Sequence, residues 1–568
     1  MPFRSTACST AFGLVVLLAT PRLAPAQPPD DHRPRLVVLI VVDQLRADYL
    51  TRFERFFGDD GFKRLMRKGA HFTNAYFSYG ASVTASGHAT ISTGRIPRQH
   101  GITTNRWFTD PKATDWRAAI DDDVVRSVPG EPDEPAPGRS PKWLIGPALG
   151  DQMKVSDARS RVFSIALKDR AAIFMGGRRP DGVFWWDRRT GRFMSSTYYC
   201  EKLPEEVAAF NRDRVADRYF GKSWARLLPA EAYAGCRPVH PDWPGNFCRL
   251  GPTFPHVLPS SGDGPDARFY NALWCTPFGN DLVLDLVERI VTHRKLGAGP
   301  ATDLLCVGFS SNDLCGHYFG PDSPETLDMT VQTDRQLARL LAMLDRTVGL
   351  GRCVVTLTAD HGATTAPCLA RELGQGGGYI DPGALVDRLN AQLTARFPSG
   401  ATGDTDPRLV LGIEPPWVYL NTSRLDGLDA RRRARLLAAA AEALRTTDGI
   451  AEVFTADELA GAAPSREDTH RRLAWRCYHP GRSGQLYVRL KDYWYKTGKK
   501  IAGHTNGFNH DRHVPILITG PRVRPGRYFS AARPCDIAVT LAAILGIEPP
   551  LDATGRVLAE AFDTRPPK

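Results

Sequence analysis

Short apolar segments rich in Val, Ile and Leu, each ending in polar residues, constrain the fold of this chain most. Segments of this kind, continuous rather than alternating, are typical of parallel sheets that are buried on both faces. Helical periodicity separates them, as in the apolar positions between Val331 and Leu344. The alternation predicts an α/β protein with an open, mostly parallel central sheet and helices on both faces. The predicted strands lie in Arg35–Gln44, Arg161–Arg170, Thr302–Asp313, Arg352–Gly362 and His513–Pro521.

Two stretches fit this pattern less well, and we expect them to be insertions that wall or cap a site. Residues from about 178 to about 281 are rich in Trp, Tyr, Pro and Gly. Residues from about 375 to about 500 combine a Gly-rich loop, a basic amphipathic helix ending near Arg445 and a predicted strand in "GQLYVRLKDYWY". Apart from its first 26 residues, the chain (27–568) is predicted to form a single catalytic domain with these two insertions.

The first 26 residues have the pattern of a secretory signal peptide. Arg4 precedes an apolar run from Ala11 to Ala19, and Ala-Pro-Ala stands before Gln27. The run is too short to span a bilayer. We therefore expect a secreted or periplasmic protein with no transmembrane segment after signal removal, although a retained N-terminal anchor is the alternative.

The cysteine content and the net charge restrict the possible disulfides and binding partners only broadly. Removal of Cys8 with the signal would leave ten of the eleven cysteines, an even number that permits disulfides of unspecified pairing. Cys306 and Cys353 lie in apolar runs and are expected to be buried. The net charge of +11 suits anionic substrates, but scattered solvated arginines explain it as well. No recognised nucleic-acid motif is present, so no specific nucleic-acid partner is expected, and the oligomeric state is left open.

Residues able to bind metal follow the predicted strands, where open α/β sheets collect their ligands. Carboxylate and imidazole ligands without a CxxC pair suit catalytic zinc better than manganese or iron. Two ions about 3.5–4 Å apart would form a clamp for in-line displacement at phosphorus. His88 and His100 are expected to pack rather than to bind metal. The six candidate ligands are Asp43, Asp313, His317, Asp360, His361 and His504.

The hydroxyl-rich stretch "VTASGHATISTG" (Val83–Gly94) has two interpretations. It could be an ordinary helix N-terminus capped by Ser and Thr, or it could display one hydroxyl as a nucleophile. A hydroxyl at a helix N-terminus, beside backbone N–H groups that favour anions, could become a metal-activated nucleophile.

With these motifs in view, the chain resembles the alkaline phosphatase superfamily. It is most similar to the phosphate-irrepressible alkaline phosphatases, which are secreted di-zinc phosphomonoesterases with a threonine nucleophile. The motifs come in the family's order over most of the chain, and the two predicted insertions match less clearly. They are "VVDQLRADYL", "GASVTASGHATISTGRIPRQHGITTNRWF", "KDR", "SSNDLCGHYFGP", "TADHG" and "HTNGFNHDRHVP".

The resemblance implies a role for each matching residue. Thr84 would be the nucleophile that forms a phosphothreonine, and Asn105, Lys168 and Arg170 would bind the phosphoryl oxygens of a phosphate monoester. One Zn²⁺ would activate the nucleophile and a second would face the leaving group. The first ion would be held by Asp43, Asp360 and His361, and the second by Asp313, His317 and His504.

One departure from the family pattern concerns the last ligand. Thr505 follows His504, where the family usually has Gly. The interval from His504 to Asp511 still fits, so His504 is preferred, with His510 and His513 as alternatives.

Three other functions compete with this interpretation. A phosphodiesterase or phosphonate hydrolase would keep the ligands and Thr84, but Lys168 and Arg170 favour the extra charge of a monoester. A sulfatase needs a C/S-x-P-x-R motif, and "CTPFG" at Cys275 has Gly279 in place of Arg. A catalytically inactive metal-binding or envelope-interaction protein would use the aromatic insertions as a surface.

Overall fold

The computed structural model describes residues 33–108, 116–129, 137–398 and 408–562. The predicted signal peptide at 1–26 lies outside the described residues. Across those ranges, no helix has both the length and the apolar character needed to cross a bilayer.

The strands of the described residues vary from two to eight residues in length. They are β1 (Leu36–Val42), β2 (Ala70–Phe72), β3 (Arg106–Trp107), β4 (Arg117–Ala118), β5 (Asp121–Val128), β6 (Pro137–Arg139), β7 (Val162–Ala166), β8 (Gly182–Asp187), β9 (Arg192–Ser196), β10 (Ser223–Trp224), β11 (His256–Val257), β12 (Asp303–Phe309), β13 (Cys353–Thr358), β14 (Gly378–Ile380), β15 (Val410–Glu414), β16 (Trp417–Leu420), β17 (Ile450–Thr455), β18 (Leu486–Leu490), β19 (Trp494–Lys496), β20 (Ile516–Thr519) and β21 (Gly526–Tyr528).

The α-helices of the same residues lie between and after these strands. They are α1 (Tyr49–Arg52), α2 (Phe62–Lys68), α3 (Thr84–Thr93), α4 (Pro97–His100), α5 (Leu149–Ser156), α6 (Asp169–Gly176), α7 (Glu205–Arg212), α8 (Ala267–Leu273), α9 (Pro277–Arg294), α10 (Ser311–Phe319), α11 (Pro324–Thr347), α12 (Pro367–Glu372), α13 (Pro382–Arg396), α14 (Thr422–Asp426), α15 (Ala430–Arg445), α16 (Ala456–Ala460), α17 (Thr469–Cys477), α18 (Asn509–Arg512) and α19 (Asp536–Leu545).

A central sheet of eleven strands organises the described residues, in the order β21-β2-β20-β13-β1-β12-β7-β8-β9-β5-β6. Its middle five strands, β13 to β8 in that order, are parallel. The predicted α/β fold class is confirmed. The sheet is mixed, however, because the predicted strand β20 pairs antiparallel with β13. An apolar run indicates burial but not direction, so the sequence could not distinguish the two arrangements.

Both faces of the sheet centre are covered by other parts of the chain. All seven residues of β1 are buried, and so are all seven of β12. Because successive side chains of a strand point to opposite faces, complete burial requires packing on both sides. Helices α3, α6 and α19 form one contacting group, and α9, α10 and α11 form another.

The two predicted insertions meet the sheet differently. Strands β8 and β9 fall within the stretch from 178 to 281, yet both belong to the central sheet, so placing all of this stretch outside the sheet was wrong. Aromatic residues such as Trp185 and Trp186 fill a buried strand as well as aliphatic ones do. The stretch from 375 to 500 contains a separate antiparallel sheet, β15-β16-β18-β17, with its own apolar cluster. The basic helix and the strand predicted there are present as α15 and β18.

One disulfide joins Cys248 to Cys275. The other eight cysteines of the described residues are free, and Cys306 and Cys353 are buried as expected.

Candidate active site

The site lies at the carboxyl edge of the parallel strands. Asp43 directly follows β1, Lys168 lies two residues beyond β7, Asp360 lies two residues beyond β13, and Asp313 is in the first turn of α10 after β12. Because these four strands are neighbours and run in the same direction, their ends bring the four side chains together. All four side chains are at most 3% exposed.

Lys168 lies among the carboxylates. Its Nζ is 2.6 Å from Asp43 Oδ2, 2.6 Å from Asp313 Oδ2 and 3.1 Å from Thr84 Oγ1. Burial, reinforced by repulsion from Asp360, raises the pKa of Asp43 to about 6, and burial raises the pKa of Asp360 to about 6 as well. Concentrated buried negative charge of this kind calls for bound cations.

Three imidazole rings lie beside the carboxylates, and each is anchored to a backbone carbonyl through its Nδ1 atom. The Nδ1 atoms of His317, His361 and His504 lie 2.7, 3.0 and 2.6 Å from the carbonyl oxygens of Ala502, Gly362 and Ser82. A carbonyl can only accept, so each Nδ1 carries a proton, and in a neutral ring Nε2 then keeps a free lone pair. Burial lowers the pKa of His317 and of His361 well below the ordinary value, which keeps these rings neutral. Neutral imidazoles with a free Nε2 suit a metal ion.

The ligand atoms form two groups that could each hold a metal ion. One consists of Asp43, Asp360 and His361, and the other of Asp313, His361 and His504, with all ligand atoms of a group within 4.8 Å of one another. Asp43 Oδ1, Asp360 Oδ2 and His361 Nε2 are buried without a hydrogen-bond partner. Buried polar atoms are rarely left unpaired, so these orphaned atoms fit metal coordination.

His317 lies beside the second group, next to the carboxylate of Asp313. Its Nε2 is 3.2 Å from Asp313 Oδ1, and His504 Nε2 is 3.6 Å from the same oxygen. The ring of His361 stacks on that of His504 with centroids 3.6 Å apart, which explains why His361 is near both groups. All six predicted ligands therefore lie in one cluster.

The alternative ligands point elsewhere. His513 Nε2 lies 2.9 Å from the carbonyl oxygen of Thr73, and its ring stacks on Tyr76. His510 and His513 belong to neither metal-ligand group of the described residues. His88 and His100, which we expected to pack, are buried and hydrogen bonded to Thr84 O and Thr90 Oγ1, respectively.

The stretch quoted above forms α3. The interpretation of its Ser and Thr residues as N-terminal caps was wrong, because Val83 is the N-cap residue and no side chain caps the helix. All ten residues of α3 are buried, and Thr90, Ser92 and Thr93 make hydrogen bonds through their hydroxyls. Thr84 is the first residue of the helix, and its hydroxyl faces Lys168 instead. Several hydroxyls therefore satisfy a polar buried helix, and one lies at the site.

Thr84 opens into a cavity of about 160 Å³ together with Asn105 and Arg170. Asn105 Oδ1 accepts a hydrogen bond from the backbone N–H of Ala85, which leaves the amide NH₂ as its free donor. Arg170 Nε is buried without a partner. Donors and positive charge thus converge beside the Thr84 hydroxyl, as an oxyanion requires.

Other residues at the site were not identified from the sequence. Gln44 Nε2 donates to Asp313 Oδ1 at 2.7 Å, and its backbone N–H donates to Asp360 Oδ1 at 3.1 Å. Gln44 has a positive φ of 66°, a conformation that is costly for a non-glycine residue. Its position directly after Asp43 was the one feature of the sequence that could have indicated its place at the site. Lys496 and Lys500 also line the cavity, and no local pattern pointed to them.

Thr505, which stands where the resemblance led us to expect glycine, has a backbone conformation typical of glycine. Its φ is 104°, in the region that favours glycine. A glycine would adopt this conformation without strain, which fits the glycine that the resemblance led us to expect after His504.

The chain is similar over most of its length to several known proteins. Residues 37–513 match the family model of type I phosphodiesterase / nucleotide pyrophosphatase. A protein of Myroides odoratus named calcium-transporting ATPase is 33% identical over 99% of this chain and 100% of its own length. Alkaline phosphatase PhoV of Synechococcus elongatus is 32% identical over 93% of each chain.

A crystal structure of an alkaline phosphatase PafA variant, substituted at one threonine, one asparagine, one lysine and one arginine, is also similar. Its sequence identity is 29% and its TM-score is 0.83, with 94% of this chain and 99% of that chain covered. The chain belongs to the type I phosphodiesterase / nucleotide pyrophosphatase family of the alkaline phosphatase superfamily, and it is a hydrolase of phosphoric ester bonds.

Replacing Gly87 in α3 tests how tightly the cluster is held. A Cβ at this position would meet the backbone oxygen of Asp360 at 2.3 Å. We expect Gly87→Ala to displace Asp360 and to weaken the binding of a divalent metal ion by about 10- to 100-fold. Competition with a metal-binding fluorescent chelator measures the affinity.

Gly58→Ala is the matched control, because its Cβ would meet only Asp334 Oδ2 at 3.6 Å, an ordinary contact. Metal affinity in Gly87→Ala equal to that of Gly58→Ala would contradict the arrangement.

Proposed function

We propose that this protein is a zinc-dependent phosphomonoesterase that transfers the phosphoryl group of a phosphate monoester to Thr84 and then to water. The observation that supports this most directly is the position of the Thr84 hydroxyl. It lies at the start of α3, 3.1 Å from Lys168 Nζ, in the cavity shared with Asn105 and Arg170. A hydroxyl so surrounded by donors can attack a phosphorus atom whose oxygens those donors bind.

Two Zn²⁺ ions are part of the proposal. Asp43, Asp360 and His361 would hold one ion, and Asp313, His317 and His504 the other. Bound there, divalent cations supply Lewis-acid chemistry by neutralising charge on the attacking and leaving oxygens. The orphaned Asp43 Oδ1, Asp360 Oδ2 and His361 Nε2 support this assignment.

The chain's own residues divide the chemistry into two displacements. In the first, Thr84 Oγ forms a bond to phosphorus, the bond from phosphorus to the ester oxygen breaks, and the alcohol leaves with the threonine's proton. In the second, water attacks the phosphothreonine, the bond from Thr84 Oγ to phosphorus breaks, and the hydroxyl is restored. Lys168 favours the ionised form of Thr84 through its charge. Arg170 and Asn105 hold the non-bridging oxygens in both steps.

The substituted PafA variant supports the choice of residues. Its substituted threonine and asparagine are 21 positions apart, and its substituted lysine and arginine are two apart. Thr84 and Asn105, and Lys168 and Arg170, have the same intervals. Those substitutions concern PafA, and we transfer the grouping of residues to this chain only as part of the proposal.

Secretion or export to the periplasm is proposed from residues 1–26. We expect the mature protein outside the cytoplasm to begin at Gln27, because Ala-Pro-Ala precedes it. N-terminal sequencing of protein from the culture medium and the periplasm measures this. A chain that begins at residue 1 and stays in the cytoplasm would contradict it.

Replacement of Thr84 tests the nucleophile. We expect Thr84→Ala to lower kcat/KM for an aryl phosphate monoester by at least about 10³-fold, because the covalent route is lost. Ser86→Ala is the matched control, since Ser86 is a buried hydroxyl in the same helical turn without a hydrogen-bond partner. Acid-quench trapping should detect phosphothreonine in the control and none in Thr84→Ala. Turnover by Thr84→Ala close to that of the control would exclude Thr84 as the nucleophile.

The preference between monoester and diester tests Lys168 and Arg170. We expect the zinc-loaded protein to favour an aryl phosphate monoester over its methyl diester, because the monoester places one more charged oxygen near these cations. Changing both residues to Ala should lower the ratio of the two kcat/KM values by about 100-fold. Arg179→Ala is a control on the loop after α6. A better diester rate in the unchanged protein would favour the phosphodiesterase alternative.

A further inference from the structure

Two lysines of the cavity have no part in the proposed chemistry. Lys496 ends β19 and Lys500 follows in the next loop, and both line the cavity that contains Thr84. Neither ammonium group has a hydrogen bond or an ion pair with any residue that the structure describes. Half-buried cations that lack a direct ion pair repel one another, and a bound anion would relieve that repulsion.

The loop that carries Lys500 is fixed on both sides. The backbone oxygen of Lys499 accepts from Asn246 N at 3.1 Å, and Ile501 N donates to His317 O at 2.9 Å. Tyr379 OH donates to the oxygen of Ile501 at 2.9 Å. Strand β19 pairs with β14 up to Lys496. The backbone positions of the two lysines are therefore fixed, although no hydrogen bond or ion pair of the described residues holds their ammonium groups.

The positive charge of the cavity exceeds what one phosphoryl group uses. The reacting group beside Thr84 is already met by Lys168, Arg170 and Asn105. Burial lowers the pKa of Lys500 to about 7, Asp313 opposes this shift, and the nearby cations add to it. Of the acidic residues of the cavity wall, Glu414 is paired with Arg106 at 2.8 Å and Asp313 with Lys168.

We propose that Lys496 and Lys500 form a subsite for a second anionic group on the alcohol part of the substrate, so that the enzyme prefers phosphate monoesters carrying another phosphate or carboxylate. The lysines share the cavity with His317 and His504, the ligands proposed to face the leaving group. This inference rests on the proposed function and adds a substrate class to it.

Propyl phosphate and propane-1,3-diyl bisphosphate test the subsite, because their leaving groups are nearly alike and only one has a second anion. The bisphosphate has two equivalent reacting ends, which alone doubles its kcat/KM. After this factor is removed, we expect kcat/KM of the zinc-loaded protein to be at least about 10-fold higher for the bisphosphate than for propyl phosphate. Lys496→Gln and Lys500→Gln should each reduce this preference by about 3- to 10-fold, and together they should abolish it.

Lys499→Gln is the matched control, because Lys499 is exposed in the same loop. This variant should leave the ratio of the two kcat/KM values unchanged. Preference for the bisphosphate should also fall with added salt, because half-exposed charges are screened. No preference in the unchanged protein would overturn the subsite. An equal loss for both substrates in the double variant would also overturn it, by assigning the lysines to the reacting phosphoryl group.

Calorimetric binding separates failure of the subsite from failure of the proposed function. If the unchanged protein hydrolyses neither ester, the proposed function is wrong, and the subsite is judged by binding of the same two compounds. Tighter binding of the bisphosphate that is lost in the double variant supports the subsite. Equal binding of both compounds overturns it.

Discussion

The burial of three carboxylates, Asp43, Asp313 and Asp360, at one edge of the sheet is the constraint on which the site depends. Buried charges are tolerated only when cations or donors compensate them. Lys168 lies 2.6 Å from two of these carboxylates, and Gln44 donates to Asp313 and Asp360. The parallel order of four adjacent strands brings these residues, which lie between positions 43 and 360, to one edge of the sheet.

His361 directly follows Asp360 and His317 shares α10 with Asp313, whereas His504 comes from a distant part of the chain. Backbone carbonyls orient all three rings. Ala502, Ser82 and Gly362 each accept from an Nδ1, so the Nε2 atoms turn toward the carboxylates. The loop around Ala502 is thus coupled to His317 in both directions, because His317 O also accepts from Ile501 N. The same loop carries Lys500, so this loop connects the outer wall of the cavity with the candidate metal ligands.

Much of the fold was predictable because burial leaves a pattern in sequence. The apolar runs of β1, β7, β12 and β13 predicted buried strands, and spacing predicted α11 and α15. The direction of β20 and the sheet membership of β8 and β9 were not predicted. A strand's polarity depends on the path of the connecting chain, and aromatic residues serve sheets and insertions alike.

The sequence by itself determined which chemistry was possible at this site. Asp43, Asp360 and His361 stand at strand ends, and Asp313 and His317 are one helical turn apart, so local order was enough to indicate their use. Only the tertiary structure decided that His504 rather than His510 or His513 meets them, and that Lys496 and Lys500 enter the cavity. The reason is physical: contacts between residues hundreds of positions apart depend on how separate elements pack, and no short-range pattern records that packing.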